Sequence, residues 1–143
     1  MKEHLRNLLA SYKKWTGRDL LPDIPEDFES FLYNAPFVLA SHGTEEDPIL
    51  NYANLTAQKL WEMDWDEITK TPSRLTAEQP EREERDRFLK EVSEKGFITD
   101  YSGIRISKSG KRFHIENVKV WNILGQAGGK LGQAAMFETW KYL

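Results

Sequence analysis

The chain has 143 residues, a formal net charge of −3 and no cysteine, which is room for one self-standing domain and excludes disulfides, thiolate catalysis and cysteine-based zinc or iron–sulfur centres. Hydrophobic residues make up 39% and charged residues 30%, a globular balance with no global field toward nucleic acid or an anionic membrane. No run approaches the ~20 apolar residues of a membrane span. Met1 to Trp15 lacks the apolar centre of a signal peptide, so the expected location is the cytoplasm.

Leu5, Leu8, Leu9, Tyr12 and Trp15 recur at three- and four-residue steps, the stripe of an amphipathic helix over residues 2–16 with Gly17 as its stop. Leu20 to Ser30 carries Pro22 and Pro25 and reads as a connector with at most a short helix. Phe37 to Ser41 is a short apolar run, a predicted strand. The tract His42 to Pro48 is a turn, and Ile49 to Ala53 reads as a second strand. Asn54 can cap a helix over Leu55 to Met63, because its side-chain oxygen can accept from free backbone N–H groups. Asp66 could cap a further helical turn, which Thr71 to Arg74 breaks.

Pro80 suits the first position of a longer helix. Glu81/Arg85, Glu83/Arg87, Asp86/Lys90 and Glu91/Lys95 are acid-before-base pairs one turn apart. Phe88, Leu89 and Val92 form its only apolar patch, and Gly96 ends it. Beyond Phe97 the pattern changes to strands: Ile98 to Ser107, Lys111 to Leu124 and Leu131 to Trp140, joined at Ser109-Gly110 and Gly125 to Gly129. Helix, two strands, a helical middle and three strands predict an α+β fold. Its core would be one antiparallel sheet with helices on one face and an additional N-terminal helix. The expected division is an N-terminal helix and connector over residues 1–30 and the domain proper over 31–143.

That order resembles a PAS domain. Tyr52-Ala53-Asn54 before a helix with Leu60-Trp61 is similar to the PAS strand-to-helix junction. Lys95-Gly96 is similar to the end of the long PAS helix, and Lys108 to Phe113 and Gly128-Gly129-Lys130 to the turns into its last two strands. More specifically, the chain resembles the MEKHLA family, a PAS-like domain. The resemblance is carried by Ser41-His42-Gly43, Asp47 to Asn54, Pro72 to Glu78, Asp100 to Arg105, Val120-Trp121-Asn122 and Gly132 to Phe137, and it covers roughly residues 30–140. It implies a five-stranded antiparallel sheet, first strand paired with last, around a cavity that often holds a small molecule. It implies a sensory role and no particular reaction.

The residues by themselves point away from an enzyme. No spacing ties His4, His42 or His114 to a serine, as nucleophilic catalysis requires. Glu45-Glu46-Asp47 and Asp64 to Glu67 lack the glycine and terminal glutamate of a calcium loop. Gly125 to Leu131 is one residue short of a phosphate loop and precedes a strand. Arg82, Arg85, Arg87 and Lys90 are balanced by neighbouring acids, the pattern of a solvated helix face rather than of a nucleic-acid interface.

The absence of cysteine rules out a cysteinyl flavin adduct, and the predicted helix from Pro80 to Lys95 has no histidine for haem iron; beyond that the sequence does not name a cofactor. Arg74, in an irregular Pro-Ser-Arg segment, can hold a carboxylate or phosphate or brace its own loop. Strand residues Asn117, Asn122 and Gln133 are amides among apolar neighbours, and buried amides need partners. The expected pocket therefore lies between the sheet and the middle helices, bordered by Ser73, Arg74, Tyr101, Arg105, Asn117, Trp121 and Gln133, with an unknown small polar or anionic molecule as occupant. The alternative is a ligand-free dimerisation or protein-interaction module. Along the fourth strand Phe113 and Ile115 have one parity and Val118 and Val120 the other, so apolar groups appear on both faces or a bulge intervenes; the face away from the middle helices needs a cover, and the stripe Leu5, Leu8, Leu9, Tyr12 is available for a homodimer.

Overall fold

The computed structural model describes residues 1–143, the side chain of Pro80 excepted. Helix α1 spans Lys2–Thr16 and stops at Gly17, whose φ of 75° is one that side chains disfavour. Helix α2 (Phe28–Tyr33) follows the proline-containing connector and is capped by Asp27. Strands β1 (Val38–His42) and β2 (Leu50–Ala53) come next, then helix α3 (Leu55–Trp61) and helix α4 (Trp65–Ile68). Asn54 caps α3 by accepting from the Ala57 N–H. Asp64 rather than Asp66 caps α4, since it stands before the first helical residue and accepts from the Glu67 N–H at 2.9 Å. A 3₁₀ turn at Ser73–Thr76 leads into helix α5 (Gln79–Lys95), and strands β3 (Phe97–Ile106), β4 (Arg112–Leu124), β5 (Lys130–Phe137) and β6 (Thr139–Tyr142) complete the chain.

The strands form one antiparallel sheet in the order β2-β1-β5-β4-β3, and β1 pairs with β5 from Val38↔Phe137 to His42↔Gln133. The run expected as one last strand is two. The chain turns at Glu138, and β6 crosses to pair with the first half of β4, Phe113 opposite Tyr142. Within β4 the alternation breaks at Asn117, whose φ is 54°. Ile115 pairs with Gly103 and Val118 with Tyr101, so two residues of β4 oppose one of β3. This bulge shifts side-chain parity by one. Phe113, Ile115, Val118 and Val120 therefore share one face of the sheet, while Trp121 and Ile123 belong to the other.

Two cores result. One lies between the sheet and α3, α4 and α5; the other lies between the opposite face and α1 with α2. Helices thus cover both faces. Leu5, Leu8 and Tyr12 are buried in this chain's own second core, where each buried leucine contributes about 1.5–3 kcal/mol. Polar pins fix α1 on β4: Trp121 Nε1 donates to the Leu8 carbonyl at 3.0 Å, Trp15 Nε1 to the Asn122 carbonyl at 2.9 Å, and Ser11 Oγ accepts from the Leu124 N–H at 2.8 Å. The stripe from which a homodimer was expected is consumed inside one chain. Among the described residues no helix is long and apolar enough to cross a membrane.

Candidate functional site

The core beneath α5 is not completely filled. A cavity of about 90 Å³ lies between the sheet and helices α3 and α5. Its walls are apolar on most sides, with Leu50, Trp61, Phe88, Val118 and Phe137 among them. Two arginines are also among its lining residues. Arg85 comes from α5 and Arg105 from β3, and each residue is 7% exposed.

Arg105 is oriented by its own strand and by Tyr101. Its Nη1 donates to the Ile104 carbonyl at 2.8 Å, and its Nη2 donates to the Tyr101 hydroxyl at 3.2 Å. Tyr101 lies two residues from Gly103 and four from Arg105, so all three face the same way. Its ring stacks on Phe88 at 3.6 Å, and its hydroxyl donates to Glu84 Oε2 at 2.9 Å. Burial pushes the Tyr101 phenol pKa up, so it remains a donor at neutral pH. No carboxylate pairs directly with Arg105 among the described residues.

Arg85 Nη2 donates to Ser73 Oγ, which the 3₁₀ turn presents to it. Its Nη1 lies 3.4 Å from Asp86 Oδ1, a side chain that is itself largely in solvent. Burial, reinforced by the Arg105 charge, lowers the Arg85 pKa to about 10. Arg85 therefore stays charged near neutrality, and burying it beside a second guanidinium is costly.

Two further polar atoms on lining residues have no partner. Trp61 Nε1–H is buried and unbonded, and so is His42 Nε2. The other His42 nitrogen, Nδ1, lies 3.0 Å from the Gly43 carbonyl, which fixes Nδ1 as the donor and leaves Nε2 an acceptor. Burial lowers the His42 pKa, which keeps this tautomer neutral. A buried donor or acceptor without a partner costs about 1–3 kcal/mol.

Of the residues expected at the pocket, Ser73, Tyr101, Arg105 and Gln133 line this cavity. Gln133 Nε2 is tied to the Asn122 Oδ1 at 3.0 Å and the Leu89 carbonyl at 3.1 Å. Arg74 does not reach it. Arg74 is exposed, and its Nε lies 3.2 Å from both Asp47 oxygens. It borders an outer groove of about 500 Å³ between the His42–Pro48 loop and α5, which shares His42, Ser73, Arg85 and Gln133 with the cavity. Asn117 is exposed at the β4 bulge, and Trp121 packs against α1 on the other face. The equal spacing of Asn117 and Trp121 suggested a shared face, and the bulge changes the count.

Arg85 was read as part of a solvated helix face, yet it is buried. The signal was its spacing. It precedes Phe88, Leu89 and Val92 by three, four and seven residues and so falls on their stripe. The other histidines lie elsewhere. His114 contacts Glu116 at 3.3 Å, and His4 Nε2 meets Ser41 Oγ at 2.9 Å beneath α1. Because the Ser41 hydroxyl gives its proton to Asn51 Oδ1 at 2.6 Å, His4 must donate to Ser41. That is the reverse of a base activating a nucleophile.

A family model for the MEKHLA domain matches residues 2–142. The chain belongs to the MEKHLA domain family. Among solved structures, this MEKHLA domain resembles an RNA-binding light-oxygen-voltage receptor at 18% identity and a TM-score of 0.67, covering 82% of this chain and 33% of that one. The chain thus spans about a third of that receptor. It also resembles the PAS domain of a protein from Colwellia psychrerythraea at 14% identity and a TM-score of 0.64, covering 80% and 94%. A light-oxygen-voltage domain studied with a flavin analogue aligns at 12% identity and a TM-score of 0.63, covering 83% and 85%. No curated protein matches the sequence. These likenesses establish a PAS-like fold. At 18% identity or less they show the fold alone and carry no ligand over to this chain.

Proposed function

We propose that this MEKHLA domain is a sensory module whose interior holds a compact carboxylate between the Arg85 and Arg105 guanidiniums. The observation that carries the reading is the burial of these two like charges, each 7% exposed, beside one cavity. A bridging carboxylate would accept charge-assisted hydrogen bonds from both and offset the cost of burying them. The apolar walls suit a short hydrocarbon body, and the volume limits it to a few heavy atoms.

Arg85 belongs to α5 and Arg105 to β3, so an anion held by both ties helix to sheet. That gives occupancy a route to the surface without chemistry, and no catalytic role is assigned to any residue. The competing reading is a ligand-free interaction module, which the small cavity favours: about 90 Å³ also accommodates two or three ordered waters at ~30 Å³ each. Under either reading, a homodimer would have to form through surfaces other than the α1 stripe.

Thermal unfolding in acetate, propionate and lactate, each compared with chloride and with the neutral isostere propionamide, separates the two. The carboxylates should raise Tm and propionamide should not. Equal stabilisation by propionamide, or no response to any carboxylate, would leave the ligand-free module as the better account. Native mass spectrometry of the same samples reads bound mass and oligomeric state.

A further inference from the structure

A second concavity, on the far side of the sheet, has the opposite chemistry. A groove of about 440 Å³ is bounded by Tyr33 at the end of α2, Tyr52 on β2 and Trp65 at the start of α4, with Asp27 and Glu29 on its rim. It shares no lining residue with the interior cavity. The Tyr52 and Trp65 rings are 5.7 Å apart with their planes at 79°, and the Tyr33 and Trp65 rings are 6.3 Å apart at 58°. Trp65 therefore stands steeply between two tyrosines, and the three rings present walls at different angles.

The balance of charge and ring faces in this groove favours a cation. Aromatic faces carry negative quadrupole potential and attract cations. The two carboxylates add formal negative charge, and among the described residues no lysine or arginine side chain lines the groove. Met1 lines the remaining edge and brings an apolar side chain together with the N-terminal ammonium, one formal positive charge against the two carboxylates. The Tyr52 residue is 1% exposed, yet its hydroxyl has no hydrogen-bond partner. Glu29 and Tyr33 are near enough to help burial push the Tyr52 phenol pKa up, so the hydroxyl oxygen remains a neutral acceptor for an N–H donor.

We propose that this groove binds an organic ammonium ion, with its head against Trp65 and the two tyrosines and its charge balanced by Glu29 and Asp27. An N–H of the ammonium then reaches the unpartnered Tyr52 hydroxyl. Two sources share this chemistry, a free alkylamine and a methylated lysine side chain of another protein.

The test is an NMR titration of the full-length chain, read at the Trp65 indole N–H. The probes are butylammonium, tetramethylammonium, Nα-acetyl-Nε,Nε-dimethyl-lysine amide and the neutral alcohol 1-butanol. The cations should shift the Trp65 resonance saturably while butanol does not. Trp65→Leu should weaken binding about tenfold, and Glu29→Gln, a change at the rim that leaves the rings in place, about threefold. A lysine derivative binding at least tenfold more tightly than butylammonium identifies a protein side chain as the source, and comparable affinities identify a free amine; both support the site. Binding of butanol equal to that of butylammonium, shifts confined to other tryptophans, or affinity unchanged by Glu29→Gln would overturn it.

Discussion

Tyr101 lies across Gly103: a β-carbon at Gly103 would stand 2.6 Å from the Tyr101 hydroxyl oxygen and 3.1 Å from Arg105 Nη1. The missing side chain is what lets Tyr101 reach back toward Arg105. Tyr101 cannot swing away freely, because its ring stacks on Phe88 at 3.6 Å and 17°. Gly103→Ala should therefore keep the fold, cost about 1–3 kcal/mol as an overpacking change, and weaken carboxylate binding at least tenfold. Urea unfolding and a titration of the same sample check both parts. Unchanged affinity would mean that the Tyr101–Arg105 geometry does not shape the site.

Removing one of the two buried charges should separate stability from binding. Arg105→Met keeps much of the side-chain volume and relieves the repulsion between Arg85 and Arg105. It gives up bonds to the Ile104 carbonyl and the Tyr101 hydroxyl, both neutral acceptors. Replacing buried charges with apolar groups is often neutral or stabilising by about 1–4 kcal/mol. The ligand-free variant should thus unfold at the same or a higher denaturant concentration than the parent and lose its response to acetate. A loss of several kcal/mol would instead make Arg105 a structural brace.

The order of elements and the antiparallel sheet were legible because strand and helix periods differ and because Asn54, Gly17 and Gly96 mark element ends. The face of each residue along β4 was not. The parity change from Phe113 and Ile115 to Val118 and Val120 leaves a bulge and apolar groups on both faces equally open, and the bulge that forms at Asn117 moves Trp121 from the cavity side to the α1 side. Arg85 was hidden by a different ambiguity. Glu81 one turn earlier suggests a surface pair, while Phe88, Leu89 and Val92 place it on the buried stripe, and packing decided between them. The partner of α1 was also undetermined, since an amphipathic stripe states that it will be covered but not by which chain.

Asn54 should be the most costly single side chain to remove outside the two cores. It is fully buried. Its Oδ1 accepts from the Ala57 and Leu39 N–H groups, and its Nδ2 donates to the Leu32 and Phe37 carbonyls. One side chain thus caps α3 and joins α2 to the start of β1. Asn54→Ala removes a cap worth about 0.5–2 kcal/mol and leaves buried groups unpaired at about 1–3 kcal/mol each. The expected total is at least about 3 kcal/mol, read by chemical denaturation. Asn54→Asp should recover part of it, because a carboxylate can still accept from the two N–H groups although it cannot serve the two carbonyls. Equal losses in both variants would show that the donated bonds dominate.

Stability should fall as the pH drops below about 6.5, and the bound anion should change that dependence at one histidine and not at the other. Burial lowers the pKa of both His42 and His4, with the N-terminal charge adding to the effect at His4. A histidine whose folded pKa lies below its unfolded value leaves the unfolded chain holding more protons between the two, so stability rises with pH there. The contribution is complete above the unfolded value near 6.5 and is lost as pH falls through the folded one. Glu62, held at about 2 by hydrogen bonds from Ser107 and Ser109, is ionised in both states above pH 6 and leaves this window clean. Tm should therefore decline between about pH 7.5 and 5.5, and His42→Gln and His4→Gln should each flatten the decline. Protonating His42 adds a third cation beside Arg85 and Lys130. A carboxylate in the cavity opposes that cost, so saturating acetate should flatten the decline in the parent and in His4→Gln but have no such effect in His42→Gln. His4 belongs to α1, bonds Ser41 from the α1 side of the sheet and does not line the cavity. An equal effect of acetate in both variants would mean that the anion does not sit beside His42.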